Sequence, residues 1–197
     1  MFITIDGPDG TGKTTLSNQL VHRLNQLGLP AVYTSEPTAS PLGKRIRQIL
    51  HDGGADAAML TELFVQDRGE HLEGFILPSV KEGQTVVCDR YKYSTVCYQH
   101  LQGEPIERLV ALNRPFPSPD IAFILNVDSP DILLDRIAKR GLETEIFEKR
   151  PIISKTIELY RQMPDFYPDD NIISINADNT PEAILEEMVR HILKKTN

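Results

Sequence analysis

The sequence predicts an α/β fold in which a five-stranded parallel sheet carries helices on both faces. Short apolar segments alternate along the chain with longer segments of helical periodicity, and this alternation is typical of parallel sheets. The chain has 197 residues, enough for one substantial core but not for two ordinary ones. We therefore expect a single domain over residues 1–197, undivided by any internal repeat or low-complexity segment.

Five short, apolar segments are predicted as strands. They are Phe2–Asp6, Ala31–Thr34, Thr85–Asp89, Ile121–Val127 and Ile172–Ile175. Helices are predicted at Lys13–Leu27, Pro41–His51, Ala57–Lys81, Tyr93–His100, Ile106–Asn113, Pro130–Arg140, Pro151–Met163 and Pro181–Lys194. Ser40 before Pro41 and Thr180 before Pro181 indicate N-caps followed by proline at the first helical position. In such a sheet ligands bind beyond the carboxyl ends of the strands.

The first strand leads into a glycine-rich loop of the pattern G-x-x-x-x-G-K-[ST], formed by Gly7, Pro8, Asp9, Gly10, Thr11, Gly12, Lys13 and Thr14. A helix follows at once, since Leu16, Leu20, Leu24 and Leu27 form one apolar face and Gly28-Leu29-Pro30 ends it. This context is typical of a phosphate-binding loop, because the helix N-terminus then faces the phosphates. We expect a solvent-facing Lys13 to reach the outer phosphates and the Thr14 hydroxyl to hold Mg²⁺. Thr15 is expected to serve helix packing or to contact an α-phosphate.

Other interpretations of the loop fit less well. A glycine-rich turn that only resembles the pattern would not need both flanking elements. A dinucleotide-binding G-x-G-x-x-G would require glycine at the position of Thr15. A GTPase would carry N-K-x-D, which the sequence lacks, and a D-x-x-G switch after the strand that ends at Asp89, where no glycine follows. A nucleotide-binding phosphate loop is therefore favoured, and a guanine-nucleotide switch is disfavoured.

Asp89 and Arg90 come directly after the third predicted strand. A carboxylate at a strand end beside a phosphate-binding loop is suited to holding Mg²⁺ through water. Arg90 points to the other side of the strand and can bind a second phosphate with its guanidinium. The alternative is a surface Asp–Arg pair without a catalytic role.

Two helical pairs place an aromatic ring near a polar or charged group. Ser94 and Tyr98 share one helix face, and so do Phe64 and Arg68. An aromatic ring and an arginine together suit a planar base that carries a phosphate. For Phe64 and Arg68, a core phenylalanine and a solvated arginine fit the spacing equally well.

A polar segment over about residues 139–150 is predicted as a mobile flap. Arg136 and Arg140 share a face at the end of the preceding helix, and Gly141 stands where a C-cap belongs. Arginines at the base of a flap could bring positive charge to a transferred phosphoryl group and exclude water. The alternative is that they only complement the helix dipole.

Composition limits the partners and the compartment. The formal net charge of −7 argues against a nucleic-acid polymer. Cys88 and Cys97 form no zinc-binding pattern, and two cysteines in a chain of this size fit a reducing cytosol. Asp6 interrupts an N-terminal apolar stretch that has no basic region, which predicts no signal peptide, and no apolar run is long enough to span a membrane. A cytoplasmic protein is expected.

The order and spacing of these motifs resemble the thymidylate kinase family of P-loop nucleoside-monophosphate kinases. The resemblance covers nearly the whole chain. It rests on the D-G-x-G-K-T-T loop, Glu36-Pro37, L-G-x-x-I-R-x-I-L at Leu42 to Leu50, L-F-x-x-D-R at Leu63 to Arg68, D-R-Y-x-x-S-x-x-x-Y-Q at Asp89 to Gln99, Pro119-Asp120 before a strand ending in Val127-Asp128, and K-R-G followed by F-E from Lys139 to Glu148.

The resemblance implies the three-layer P-loop kinase fold, a homodimer packed through helices, and transfer of phosphate from ATP with Mg²⁺ to dTMP, giving dTDP. It implies that dTMP is surrounded by Asp9, Phe64, Arg68, Arg90, Ser94, Tyr98 and Gln99. It places ATP on the loop from Gly7 to Thr15, with adenine near Arg136 and residues 176–180. A kinase of another small acceptor, such as a deoxynucleoside, and a nucleotide-binding switch without kinase activity remain as alternatives.

The expected catalytic groups are Lys13, Asp89, Arg90 and Arg140, with Mg²⁺ at Thr14 and Asp89. The sequence also departs from the family. Ser35 stands where many members have arginine before the Glu-Pro pair. The family's catalytic arginine comes from the phosphate loop, at Gly10 here, or from the flap, at Ile146 here, and neither position is basic. We expect Arg140 to take this role, with Lys149 and Arg150 as the other candidates.

Overall fold

The computed structural model describes residues 1–53, 56–139 and 150–196. Its centre is a five-stranded sheet in the order β2-β3-β1-β4-β5, with every neighbouring pair parallel. The strands are β1 (Phe2–Asp6), β2 (Ala31–Ser35), β3 (Thr85–Asp89), β4 (Ile121–Asn126) and β5 (Ile172–Asn176). The predicted α/β fold is confirmed, and each strand ends within one residue of its prediction.

Helices surround this sheet in the order that the periodicity predicts. They are α1 (Lys13–Gln26), α2 (Pro41–Asp52), α3 (Ala57–His71), α4 (Leu77–Lys81), α5 (Lys92–Leu101), α6 (Ile106–Asn113), α7 (Pro130–Lys139), α8 (Arg150–Arg161), α9 (Met163–Phe166) and α10 (Pro181–Thr196). The Ser40 hydroxyl accepts a hydrogen bond from the amide of Gly43, and the Thr180 hydroxyl accepts one from the amide of Ala183. These bonds confirm both predicted caps. Among the described residues, no helix is both long enough and apolar enough to cross a membrane.

The structure departs from the predicted helices at two prolines. The single helix expected over Ala57–Lys81 widens into a π-helical turn at Leu72–Ile76 between α3 and α4. Pro78 lacks the amide hydrogen that an α-helix would donate to the carbonyl of Gly74, and the wider turn comes just before it. Near the other end of the chain, Pro164 lies in the first turn of the short helix α9, which the periodicity did not predict.

The sheet divides the hydrophobic core into two clusters. Ile3 and Ile5 of β1 belong to the cluster that includes α1 and α10, whereas Phe2 belongs to the cluster that includes α5 and α8. Alternation along β1 therefore puts Thr4 and Asp6 on the face of Phe2. Leu27, expected on the apolar face of α1, lies just beyond that helix and is 41% exposed.

The parallel register brings the predicted functional segments to one edge of the sheet. Ile5 pairs with Asp89, and the amide of Arg90 donates to the carbonyl of Ile5 at 3.0 Å. The amide of Glu36 donates to the carbonyl of Asp89, also at 3.0 Å. The ends of β1, β3 and β2 therefore meet beside the loop that follows Asp6.

Candidate active site

The loop from Gly7 to Thr14 turns tightly between β1 and α1. Gly7 has a φ of 145°, and a Cβ there would lie 2.6 Å from the carbonyl oxygen of Leu125, so this position requires glycine. Gly12, with a φ of 84°, caps α1 without a side-chain hydrogen bond, which leaves the amides of the first turn of α1 available to an anion. The local backbone is therefore suited to holding phosphate.

Lys13 is buried rather than solvent-facing, and the expectation of an exposed lysine is wrong. Only 6% of the residue is exposed, and its ammonium group donates to the carbonyl of Pro8 at 2.7 Å. Burial, together with the positive charge of Arg90, lowers the pKa of Lys13 to about 8, although Asp9, Asp89 and Asp6 act in the opposite direction. The loop folds back over this side chain and holds a poorly solvated cation beside the phosphate-binding amides.

Thr14 and Asp89, the predicted Mg²⁺ ligands, lie side by side. The Thr14 hydroxyl is 2.5 Å from Oδ2 of Asp89. The other carboxylate oxygen of Asp89 is buried without a hydrogen-bond partner among the described residues. A hydroxyl and an unsatisfied carboxylate oxygen at the phosphate loop form a set of hard oxygen donors that fits Mg²⁺ and its waters.

Asp9, Arg90 and Tyr98 form one connected group between the phosphate loop and α5. Arg90 donates to Oδ1 of Asp9, and the Tyr98 hydroxyl donates to Oδ2 at 2.9 Å. The Arg90 guanidinium also lies 5.1 Å from the centre of the Tyr98 ring. Burial alone would raise the pKa of Asp9, but the charges of Arg90 and Lys13 and the Tyr98 hydroxyl hold that pKa at about 2.

All seven residues predicted around dTMP line one cavity beside the phosphate loop. Its predicted lining residues are Asp9, Phe64, Arg68, Arg90, Ser94, Tyr98 and Gln99. Further lining residues, which were not predicted from the sequence, are Glu36, Pro37, Leu50, Tyr91, Thr95 and Gln102. The Glu36-Pro37 motif was the available signal for the first two, and the position of Thr95 next to Ser94 was a weaker one.

Arg68 is held inside the protein and is not a solvated charge. It is 1% exposed, donates to Glu36 at 2.9 Å and to Thr95 at 2.8 Å, and also donates to Asn113. Its charge is therefore paired and hydrogen-bonded within the cavity wall. The alternative of a solvated arginine is wrong, and Phe64 is a partly buried residue that lines the cavity.

Glu36, His71 and Cys88 place potential metal-ligating atoms within 4.8 Å of one another. Internal hydrogen bonds already engage this cluster, since His71 faces Glu36 at 3.2 Å and the Thr34 hydroxyl at 2.6 Å, and Arg68 holds Glu36. Burial also raises the pKa of the Cys88 thiol well above its usual value, which disfavours the thiolate that a metal would need. The cluster supports the cavity wall.

Gln99 is a buried amide with both polar atoms unsatisfied. It is 1% exposed, and neither its oxygen nor its nitrogen has a hydrogen-bond partner in the described part of the chain. Unsatisfied buried amides are rare because they lose their hydration without compensation. Since Gln99 lines the cavity, a ligand with a neighbouring donor and acceptor would satisfy it.

A second cavity lies on the other side of the phosphate loop. It is lined by Gly10, Thr11, Gly12 and Thr15 from the loop and α1, by Arg136 from α7, and by Ala177, Asn179 and Pro181 beyond β5. The structure thus brings together the predicted adenine-binding segments. Arg140 lies outside the described residues, as do Ile146 and Lys149.

Gly10 and Arg150 occupy two of the positions considered for the family's catalytic arginine. Gly10 has a φ of 85°, and a Cβ there would lie 3.3 Å from the carbonyl oxygen of Leu133, so an arginine at this position would strain the backbone and crowd α7. Arg150, one of the alternative candidates, pairs with Asp131 on the exposed start of α7.

Comparison with known proteins gives one consistent result. The family model described as Thymidylate kinase matches residues 5–188. The chain belongs to the thymidylate kinase family. A protein of Thermococcus kodakarensis named "Probable thymidylate kinase" is 35% identical over 187 residues, which cover 90% of this chain and 91% of that protein.

Bacterial members of the family show the same degree of similarity. The "Thymidylate kinase" of Desulfotalea psychrophila is 34% identical over 198 residues, covering 98% of this chain and 96% of that protein. The "Thymidylate kinase" of Xanthomonas campestris pv. campestris is 35% identical over 178 residues, covering 90% of this chain and 77% of that protein. The family resemblance predicted from the motifs is therefore confirmed.

Proposed function

We propose that this protein is a dTMP kinase that transfers the γ-phosphoryl group of ATP to dTMP, giving dTDP and ADP. Membership in the thymidylate kinase family supports the reaction. Gln99 is the observation that indicates the substrate class. A buried amide with both polar atoms unsatisfied complements a base with adjacent N–H and C=O groups, such as thymine. Phe64 provides an apolar surface for the same ring.

The two cavities suggest where each nucleotide binds. ATP occupies the phosphate loop with adenine in the cavity beside Arg136, and dTMP occupies the cavity beside Gln99. Arg90 lines the cavity beside Gln99 with 24% of its side chain exposed and is suited to the acceptor phosphate. Because a nucleotide phosphate is already a competent nucleophile, the protein mainly needs to align the reactants and stabilise charge.

The charge on the transferred group is balanced by this chain's own cations. Lys13 contributes a buried, poorly hydrated ammonium group, whose interaction with phosphate is stronger than it would be in water. Thr14 and Asp89 would hold Mg²⁺, which when bound neutralises phosphate charge. Asp9 neutralises Arg90 in the absence of substrate and holds its guanidinium at the cavity. Arg140 remains our candidate for the family's missing arginine.

A coupled ADP-release assay tests the proposal with dTMP, dUMP, dGMP, thymidine and no acceptor. We expect Mg²⁺-dependent turnover that is fastest with dTMP. Faster turnover with thymidine would support a nucleoside kinase instead. Slow hydrolysis that no acceptor stimulates would support a nucleotide-binding switch.

We further propose a cytoplasmic homodimer. Phe75 and Leu77 are 39% and 47% exposed at the π-helical turn and the start of α4, and large apolar side chains at a helix surface favour association. Two free buried thiols, Cys88 and Cys97, fit a reducing compartment. Sedimentation equilibrium of the protein and of Leu77→Glu tests the dimer, which we expect the substitution to weaken.

A further inference from the structure

We propose that Asp6 is a positioning residue that fixes both the backbone and the guanidinium of Arg90 for the acceptor phosphate. This inference rests on the proposed function, because it assigns to Asp6 a task at the dTMP side of the same site. Asp6 ends β1, directly before the phosphate loop, and is completely buried.

The backbone of Arg90 has an unusual conformation that needs support. Its φ of 71° is in the left-handed region, which residues other than glycine rarely adopt and which clusters at functional sites. Hydrogen bonds hold both sides of the residue: the Arg90 amide donates to Ile5 at 3.0 Å, and the Cys88 thiol donates to the Arg90 carbonyl at 3.1 Å. The next amide, that of Tyr91, donates to Oδ1 of Asp6 at 3.1 Å.

One oxygen of Asp6 gathers three donors from the chain that follows Arg90. Besides the Tyr91 amide, Oδ1 accepts from the Ser94 amide at 3.2 Å and from the Ser94 hydroxyl at 2.6 Å. The first turn of α5 is thereby fixed against the end of β1. Oδ2 of Asp6 is buried and has no hydrogen-bond partner in residues 1–53, 56–139 and 150–196. Within these residues, Oδ1 therefore accepts every hydrogen bond that the carboxylate receives.

The same carboxylate orients the Ser94 hydroxyl toward Arg90. A serine hydroxyl has a single hydrogen, and the short bond to Asp6 uses it. The lone pairs of Ser94 are then left to accept, from Nη1 of Arg90 at 3.3 Å and from the Tyr160 hydroxyl at 2.9 Å. Asp6 thus acts on Arg90 along two routes, through the adjacent peptide and through Ser94.

This arrangement couples the phosphate loop to the acceptor site. Asp6 is covalently joined to Gly7, the first residue of the loop, while its carboxylate holds the segment that begins at Arg90. In-line transfer requires the donor and acceptor phosphates to be aligned, and a displacement of about 1 Å can lower the rate by about 100-fold. Asp6 therefore links the two sides through the backbone, in addition to the direct side-chain contact between Asp9 and Arg90.

The test uses Asp6→Ala and Asp6→Asn, with Thr4→Val as the matched control. Thr4 lies two residues earlier on the same strand face, is also fully buried, and its hydroxyl has no hydrogen-bond partner among the described residues. Alanine removes the acceptor for all three donors, whereas asparagine can keep its oxygen in place of Oδ1. Titration calorimetry with dTMP alone and with ADP alone, followed by steady-state kinetics, separates the two sides of the site.

We expect Asp6→Ala to lower kcat/KM for dTMP by about 100-fold and to weaken dTMP binding, with ADP affinity changed by less than about twofold. Asp6→Asn should recover most of this loss, and Thr4→Val should match the wild-type enzyme. If alanine prevents folding, Asp6→Ser, whose hydroxyl is too short to reach all three donors, replaces it with the same expected split.

Equal losses for dTMP and ADP, unchanged dTMP kinetics in the alanine variant, or an asparagine variant as defective as alanine would each overturn the positioning role. The proposed function fails separately, when the wild-type enzyme does not phosphorylate dTMP. The inference alone fails when the wild-type enzyme does so and the dTMP parameters do not depend on Asp6.

Discussion

Replacing Lys13 by methionine should stabilise the ligand-free protein while it removes phosphoryl transfer. Methionine has a similar length and no charge, so it fills the same space under the loop. Burial penalises the ammonium group, and the nearby carboxylates compensate only in part, since the pKa of Lys13 falls from the ordinary 10.5 to about 8. The charge is therefore kept at the expense of stability, as expected for a group that acts on phosphate.

The size of this effect follows from proton linkage. In the unfolded chain Lys13 is protonated up to pH 10.5, but in the folded protein only up to about pH 8. Because the folded state binds fewer protons between these values, this group makes folding more favourable as the pH rises through that window. A tenfold change in proton affinity, which is one pKa unit, is worth about 1.4 kcal/mol. The fall of the Lys13 pKa from 10.5 to about 8 therefore corresponds to a penalty on folding stability of about 3 kcal/mol at pH 7. At pH 9.5 roughly half of it remains.

Urea unfolding followed by circular dichroism measures the effect at pH 7 and pH 9.5. We expect Lys13→Met to raise the free energy of unfolding by about 2–3 kcal/mol at pH 7 and by clearly less at pH 9.5, with turnover reduced by at least about 100-fold. Lys44→Met, at an exposed position of α2, is the control and should change stability by less than about 0.5 kcal/mol. A Lys13→Met variant with unchanged or lower stability at both pH values would mean that burial of the Lys13 charge does not destabilise the folded protein.

Substitutions at three further positions test the acceptor side and the flap. Tyr98→Phe keeps the ring but removes the hydrogen bond to the charged Asp9, so kcat/KM for dTMP should fall by the equivalent of about 1.5–3 kcal/mol. Tyr98→Ala should lower kcat/KM further, and equal losses in the two variants would mean that the ring contributes nothing. Arg68→Ala removes the arginine that pairs with the buried Glu36 carboxylate and leaves His71 as its remaining side-chain contact among the described residues. We expect the free energy of unfolding to fall by about 3–5 kcal/mol, which chemical denaturation measures; an unchanged midpoint would contradict this. Arg140→Ala should lower kcat more than it raises the KM for ATP, which is the pattern of a contact made mainly in the transition state. An unchanged kcat would exclude this role for Arg140 and leave Lys149 and Arg150 as the candidates.

The sequence predicted the parts of this structure that depend on local pattern. The strands, most helix bounds and the two proline-associated caps follow from periodicity and capping chemistry, which act over a few residues. The family resemblance also implied that residues far apart, such as Phe64 and Gln99, surround one ligand, and the structure places both at the same cavity. Periodicity and spacing alone did not bring these two helices together.

Burial and pairing could not be predicted in the same way. Spacing shows that Arg68 shares a helix face with an aromatic residue, but its partners Glu36, Thr95 and Asn113 lie 27 to 45 residues away and meet it only in the folded chain. The burial of Lys13 likewise depends on how the loop folds over it. The role that we propose for Asp6 rests on donors from residues 91 and 94, which the sequence pattern does not place beside the end of β1.

Phosphorus NMR of a single reaction mixture shows whether this protein phosphorylates dTMP. The protein, Mg²⁺ and ATP are mixed with equal concentrations of dTMP and thymidine, and the phosphorus resonances are followed over time. We expect the α and β resonances of dTDP to appear together with those of ADP while thymidine remains unphosphorylated. Formation of new dTMP from thymidine, or release of inorganic phosphate without dTDP, would contradict it.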